Sequence, residues 1–426
     1  MRTFMLAGLL GIFSLPSFVY AFNGEEKASS SSMVCNPTQK VHNATFDPTL
    51  LKSFVPRVTP QTKKVNYDGT TPRVSAFSEG IAYVSMGNTS GYYIDSLGNK
   101  LFDFEKGYGS APLFSCGVLM IHNSRTSEAI ILNKKGEVIR KIPNVIKCTP
   151  FVDGVAAITA GVRGKFGMEH YNMYINTKGE PLFKDLIFRS TLEGLKTPSP
   201  LKENRSAFYD YQKKLWGYRD AKGKVVIPAV LLEAKDFSEG VALISMKDKS
   251  GIQKWGYIDS IGKFVIDLKY TKEPGSFSNG LAVVVNKENK CFFINKQGEI
   301  VSNAYSGATD FHNGLAVIMD ERWNKFIINT NFEVVSAFNP RFSNKLSCPY
   351  PYGSSSNIVW KGNDLYVDRT LLSPMGDMLI TYIDEPFEGG YAPCYLRSHN
   401  SPDNKEHIGF INRKGEFVLE FVENEF

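Results

Sequence analysis

The chain has 426 residues, 42% hydrophobic, 13% aromatic and 22% charged, a globular composition with ample material for a core and length enough for two or three domains. Its 49 Lys and Arg nearly balance 43 Asp and Glu, and no run of five like charges occurs. That leaves a nucleic-acid-binding or membrane-surface protein little electrostatic support.

Residues 1–21 read as a secretory signal peptide. Arg2 supplies the positive start, Phe4 to Leu15 is apolar except for Ser14, and Pro16 precedes Val19-Tyr20-Ala21, with a cut expected after Ala21. About 12 apolar residues are too few to span a bilayer core of about 30 Å as a helix. No later segment reaches 18 apolar residues, so the mature chain is predicted to have no transmembrane segment. Residues 22–69, with Ser29 to Ser32, Pro48, Pro56 and Pro60, read as a flexible leader.

A unit then begins to repeat, and residues 70–426 read as one repeat domain. Phe77-Ser78-Glu79-Gly80 leads an apolar run. The same pattern returns at Phe151, Phe237, Phe277 and Phe311, and more weakly at Phe114, Tyr350 and Phe387. The most degenerate copy starts at Leu201, with Asn204 in the glycine place; Asn tolerates the left-handed backbone of a turn glycine. The starts are thus 77, 114, 151, 201, 237, 277, 311, 350 and 387. An insertion around Lys184 to Pro200 reads as a loop.

The second half of each unit repeats as well. Asp95, Asn133, Asn176, Asp220, Asp259, Asn295, Asn329 and Asn412 each follow a strand-like run, and Ser373 fills the slot in the eighth unit. Glycine follows three residues later, except for Phe332. This spacing predicts a hairpin in which the Asx side chain caps backbone two residues on and glycine takes positive φ. Asp259 is therefore read as a turn former and not as an acid or base.

Each unit thus supplies strand A after the Phe-x-x-Gly turn, strand B ending at the Asx, strand C after the glycine, and a stretch leading to the next Phe. The fold class is all-β, a β-propeller-like array of about nine repeats of roughly 40 residues. Nine exceeds the usual four to eight blades, so the alternative is an open β-superhelical array. If the array closes, residues 70–76 are expected to supply the outer strand missing from the ninth unit.

Leu215-Trp216-Gly217-Tyr218-Arg219-Asp220 and Lys254-Trp255-Gly256-Tyr257-Ile258-Asp259, with their preceding turns, resemble the WG (Trp-Gly) repeat family of bacterial exported proteins. The resemblance covers roughly residues 70–426, although two units alone keep the Trp-Gly pair. It implies a propeller-like fold, interactions at or beyond the cell envelope, and no catalytic residues.

Catalytic patterns are missing from the sequence: there is no HxxxH, HExxH, G-x-S-x-G or phosphate-binding glycine loop. No metal, cofactor or nucleic-acid partner is expected. His399 and His407, eight apart, are a weak metal candidate set against a solvated hairpin. Six cysteines without a CxxC permit disulfides in an exported chain, while Cys291 and Cys394 suit buried thiols. Variation between units concentrates in the A–B loops, where a rigid scaffold usually places recognition. The loops over residues 159–170 and 246–253 carry Arg163, Lys165, His170, Lys247 and Lys249, the candidate binding residues. These features predict a non-enzymatic exported scaffold binding a protein or surface polymer, in the periplasm, at the cell surface or secreted. The alternative is a propeller-type hydrolase acting on envelope glycan, for which scattered carboxylates (Glu105, Asp185, Glu233, Asp364, Asp384) would have to converge.

Overall fold

The computed structural model describes residues 55–67, 69–86, 90–104, 113–123, 125–165, 167–190, 195–338, 348–351, 358–361, 364–367, 369–372 and 378–424. All belong to one unit, residues 43–426. The signal-peptide reading, Cys35, Glu105 and the Ser373–Gly376 turn lie outside the described residues.

Among the described residues, the strands form nine sheets, one for each sequence unit. Their strands lie within residues 73–104, 118–142, 145–189, 206–231, 233–270, 282–294, 307–337, 358–381 and 391–423, here blades 1 to 9. No α-helix occurs among these residues; Lys184–Leu186 and Ser398–Asn400 are single 3-10 turns. In blade 5 the order is Glu233–Ser238, Val241–Lys247 (A), Gln253–Asp259 (B) and Phe264–Tyr270 (C), all antiparallel. A and B are buried along nearly their whole length, whereas C alternates as an edge strand does.

The sheets stack through nine apolar cores, each shared by two neighbours. Tyr257 of blade 5 meets Phe277 at the start of blade 6, and Tyr218 meets Phe237 in the same way. The last core joins Phe410 and Leu419 of blade 9 to Phe77 and Val84 of blade 1, so the array closes as a propeller. The repeated Phe is thus the plug between its own blade and the one before. Leu201, the degenerate copy, is exposed, and aromatics including Tyr209, Tyr211 and Phe188 fill that core.

Closure also draws on the N-terminal side, by a different segment from the one expected. Lys63–Tyr67 pairs in parallel with Phe417–Glu423 and completes blade 9, while Arg73–Val74 joins blade 1. Arg57 bridges Glu416 by backbone and by an ion pair. The sheet body therefore reaches into the stretch read as a leader, because alternating Val65 and Tyr67 can bury one face against the first and last blades.

The turns follow the Asx reading. Asp259 Oδ1 accepts from the N–H groups of Ile261 (3.0 Å) and Lys263 (2.8 Å), and Gly262 sits at φ +90°. At the Phe-x-x-Gly turn the residue before the glycine is left-handed too, giving two successive positive-φ residues as in a type I′ hairpin. Asn204 takes the glycine's place at φ 61°.

Those turns are also linked from blade to blade. Glu79 accepts from Gly117 N–H (2.9 Å), Glu203 from Gly240 (2.9 Å), Glu239 from Gly280 (2.9 Å) and Asn279 from Gly314 (2.9 Å). Cys116 Sγ and Asp153 make the same link to Gly154 and Leu201.

Candidate functional site

Strand A leaves the Phe-x-x-Gly turn and B returns to the Asx turn, so the A–B hairpins share the opposite end of the body. Most of them are tight. Asp248 Oδ1 accepts from Ser250 (2.9 Å) and Ile252 (3.0 Å), and Asp320 Oδ1 from Arg322 and Asn324 (both 2.8 Å). Asp210, Asn123 and Asn286 act similarly, each followed by a left-handed residue. The segments read as open loops are built on the same Asx logic as the turns at the other end.

Blade 3 differs. Its A and B strands, Val155–Gly164 and Gly167–Asn176, have ten residues each, against four to seven elsewhere. Residues 159–170, expected to be a loop, are instead an extended hairpin with Arg163 opposite Met168 and Gly161 opposite His170. Regular alternation of backbone bonds carries the strands beyond the core, and the tip exposes Val162, Arg163, Lys165 and Met168, while His170 is half-buried. Lys247 and Lys249 are exposed on the blade 5 hairpin. The five candidate residues therefore fall on two hairpins, two blades apart, and do not form one cluster.

Beside the blade 5 hairpin a cavity of about 540 Å³ opens between blades 5 and 6. Lys254, Lys269 and Lys287 line it with Glu288, over walls that include Tyr270 and Phe292. Lys254 Nζ lies 4.0 Å from Asp248, and Lys269 Nζ donates to Gly298 O at 3.3 Å while standing 5.3 Å above the Tyr270 ring. The Tyr270 hydroxyl is shielded from solvent and has no hydrogen-bond partner among the described residues. Burial pushes this phenol up to about 12, so it remains a donor at neutral pH. Sequence reasoning missed the cleft, which needs the relative placement of two blades.

In blade 9, His407 Nδ1 is 2.6 Å from Glu420 and Nε2 is 2.9 Å from Asp403. The hydrogen bond to Glu420 raises the imidazole's pKa above its ordinary value; burial opposes this, and Asp403 adds to the rise. The weak metal reading of His399 and His407 meets a different arrangement. His399 contacts Asn400, and the described residues contain no group of three or more His, Cys, Asp or Glu able to hold a metal ion. Cys116, Cys148, Cys291, Cys348 and Cys394 are free thiols.

A family model described as "WG containing repeat" matches residues 216–249, 255–291 and 292–321. Those three segments are WG repeats. No curated protein matches the chain. Among solved structures the chain is similar to BamB from Moraxella catarrhalis, with 12% identity, covering 74% of this chain and 94% of that one at a TM-score of 0.36. It is similar to the computationally designed Ika8 protein, at 11% identity, 75% and 98% coverage and a TM-score of 0.36. A eukaryotic initiation factor gives 11% identity, 80% and 96% coverage and a TM-score of 0.45.

The WG pair now has a physical account. Trp255 is 6% exposed and packs in the blade 5–6 core, so it is not a stacking platform for a ligand. Gly256 lies where strand C presses in: an added Cβ would stand 2.7 Å from the Ile266 carbonyl oxygen. The equivalent Gly217 and Gly409 meet Ile227 O and Leu419 O in the same way. The pair in these WG repeats is an anchor beside a close backbone approach.

Proposed function

We propose that this protein is a non-enzymatic, exported repeat scaffold that binds a protein or a surface polymer through the end that carries its A–B hairpins. The observation that carries this reading is the blade 3 hairpin, which extends past its neighbours and offers Val162 and Met168 beside Arg163 and Lys165. Exposed apolar groups flanked by cations on a rigid hairpin suit recognition better than catalysis. Asp364 and Asp384 are taken up in ion pairs with Arg413 (2.6 Å) and Arg369 (2.5 Å), which supports a non-catalytic role for them. Export rests on Arg2 and the apolar Phe4 to Leu15 run. No helix among the described residues is long and apolar enough to cross a membrane.

The test replaces residues 163–168 with Asn-Gly, closing the Val162–Glu169 pair by a two-residue turn and removing Arg163, Lys165 and Met168. Affinity capture from envelope extracts should then lose the partner while the melting temperature holds. Recovery equal to that of the unaltered chain removes the hairpin from the binding surface.

A further inference from the structure

The repeat allows blade 5 to be compared with its siblings position by position. Tyr270 on strand C pairs with Trp255, four residues before the Asx. At the same register four other blades place Phe104 opposite Gly91, Ile142 opposite Ala129, Leu231 opposite Trp216 and Phe421 opposite Ile408, while blade 6 places Tyr305 opposite Cys291. Those four are apolar. Of the two tyrosines at this position, Tyr270 is the one whose hydroxyl is shielded and without a hydrogen-bond partner among the described residues. A shielded polar atom without a partner costs stability that a Phe would not.

The residues just before this pair differ as well. They are Glu128 and Lys141 in blade 2 and His407 and Glu420 in blade 9, combinations of opposite sign. Blade 1 has Ser90 and Asp103, and blade 4 has Leu215 and Val230. Blade 5 has Lys254 and Lys269, two cations on adjacent strands, and Lys287 of blade 6 adds a third. Like charges side by side are unfavourable on neighbouring strands unless an anion lies between them. Asp248 stands 4.0 Å from Lys254, and Glu288 is the one carboxylate in the cavity's own lining.

We infer that the cleft between blades 5 and 6 binds a small organic anion, its carboxylate or phosphate head among Lys254, Lys269 and Lys287 and its apolar body against Tyr270, Phe292 and Val284. The volume of about 540 Å³ admits such a molecule, and Val284, Val285, Phe292 and Ile300 give it apolar lining. An anion seated there gives the Tyr270 hydroxyl an acceptor. This goes beyond the scaffold reading, which concerns a macromolecular partner at the blade 3 hairpin, and it is tested without that partner.

The experiment titrates the full chain with 2-naphthoate, 2-naphthyl phosphate and the neutral 2-naphthamide by isothermal calorimetry. At least one anion should bind about tenfold or more tightly than the amide, the size of one hydrogen bond to a charged group. Which anion wins tells carboxylate from phosphate. Tyr270→Phe should weaken that anion about tenfold and leave the melting temperature unchanged or higher, an outcome a merely structural hydroxyl would not give. Lys254→Met with Lys269→Met should erase the preference for anions. Equal affinity for all three compounds, no saturable binding of any, or an anion preference that survives the double substitution overturns the inference.

Discussion

The repeated Phe of each unit is read as a plug shared by two blades, and Phe277→Ala tests that reading directly. Phe277 is 1% exposed, its ring centroid lies 4.8 Å from that of Tyr257, and Val241, Leu243 and Val284 complete the core. Removing a fully buried ring costs about 3–5 kcal/mol, through lost transfer energy and the cavity left behind. Roughly 0.5–1.5 kcal/mol of that reflects the T-shaped aromatic pair. Leu201 fills the same sequence slot in the degenerate unit but is 37% exposed, so Leu201→Ala should cost under about 1 kcal/mol. Urea unfolding followed by tryptophan emission is the assay, and Trp255, in the same core as Phe277, reports on the altered interface. A cost below about 1.5 kcal/mol for Phe277→Ala, or equal costs for the two substitutions, would refute the plug reading.

Three further outcomes follow from the geometry. His407 keeps its proton to a higher pH when folded than unfolded, so its contribution is complete below about pH 6.5 and fades as pH rises through the raised folded value. Asp403, held low chiefly by the Ser401 hydroxyl and then by His407, contributes above about pH 4 and is lost as pH falls through its lowered value. The melting temperature should therefore decline above about pH 6.5, and His407→Gln should flatten that decline; an unaltered slope rejects the role. Gly256→Ala forces a methyl to 2.7 Å from Ile266 O and should cost about 2 kcal/mol in chemical denaturation, with no loss meaning that strand C yields freely. At the Asx turns, Asn295 donates to Glu299 at 2.8 Å while Asp259 is followed by Lys263, so Asn295→Asp should cost about 1 kcal/mol and Asp259→Asn almost nothing. Equal costs would show that the acceptor alone matters.

That last contrast shows how much was legible in the chain. Asn133, Asn176, Asn295, Asn329 and Asn412 are each followed four residues on by Glu, and their amide groups donate to it. Asp220 and Asp259 are followed by Lys, and Asp95 by Asn99. The pairing was present in the sequence, as were Glu79, Glu203, Glu239 and Asn279, acceptors that link blade to blade. The Asx turns and the number of units could be read because they repeat; blade 8 is the exception, where Thr370–Leu372, read as the strand before the Asx slot at Ser373, is the third strand of its sheet and Asp364–Val367 the second. The blade 3 hairpin could not, because glycines at 161, 164 and 167 look like a loop when the partner strand is unknown. The cleft was hidden for another reason: its lysines come from blade 5 and blade 6, and sequence spacing does not give the placement of one sheet on the next.

Ring closure draws these threads together. A ninth blade exceeds the usual four to eight, yet closure here uses the same contact as the other interfaces: Phe410, two residues before Asn412, meets Phe77 at 4.4 Å just as Tyr257 meets Phe277. The first unit is thus the successor of the last. Chain continuity cannot hold blade 9 to blade 1, and two features specific to this seam take its place. Lys63–Tyr67 crosses from the N-terminal side to add a parallel strand, packing the half-buried Val65 and Tyr67 against the seam. Within blade 9, the Asp403–His407–Glu420 set ties the A–B connection to strand C, the strand on which Lys63–Tyr67 docks. The hydrogen bonds of His407 to Glu420 and Asp403 hold strand C in place where Lys63–Tyr67 docks, beside the apolar core of the seam.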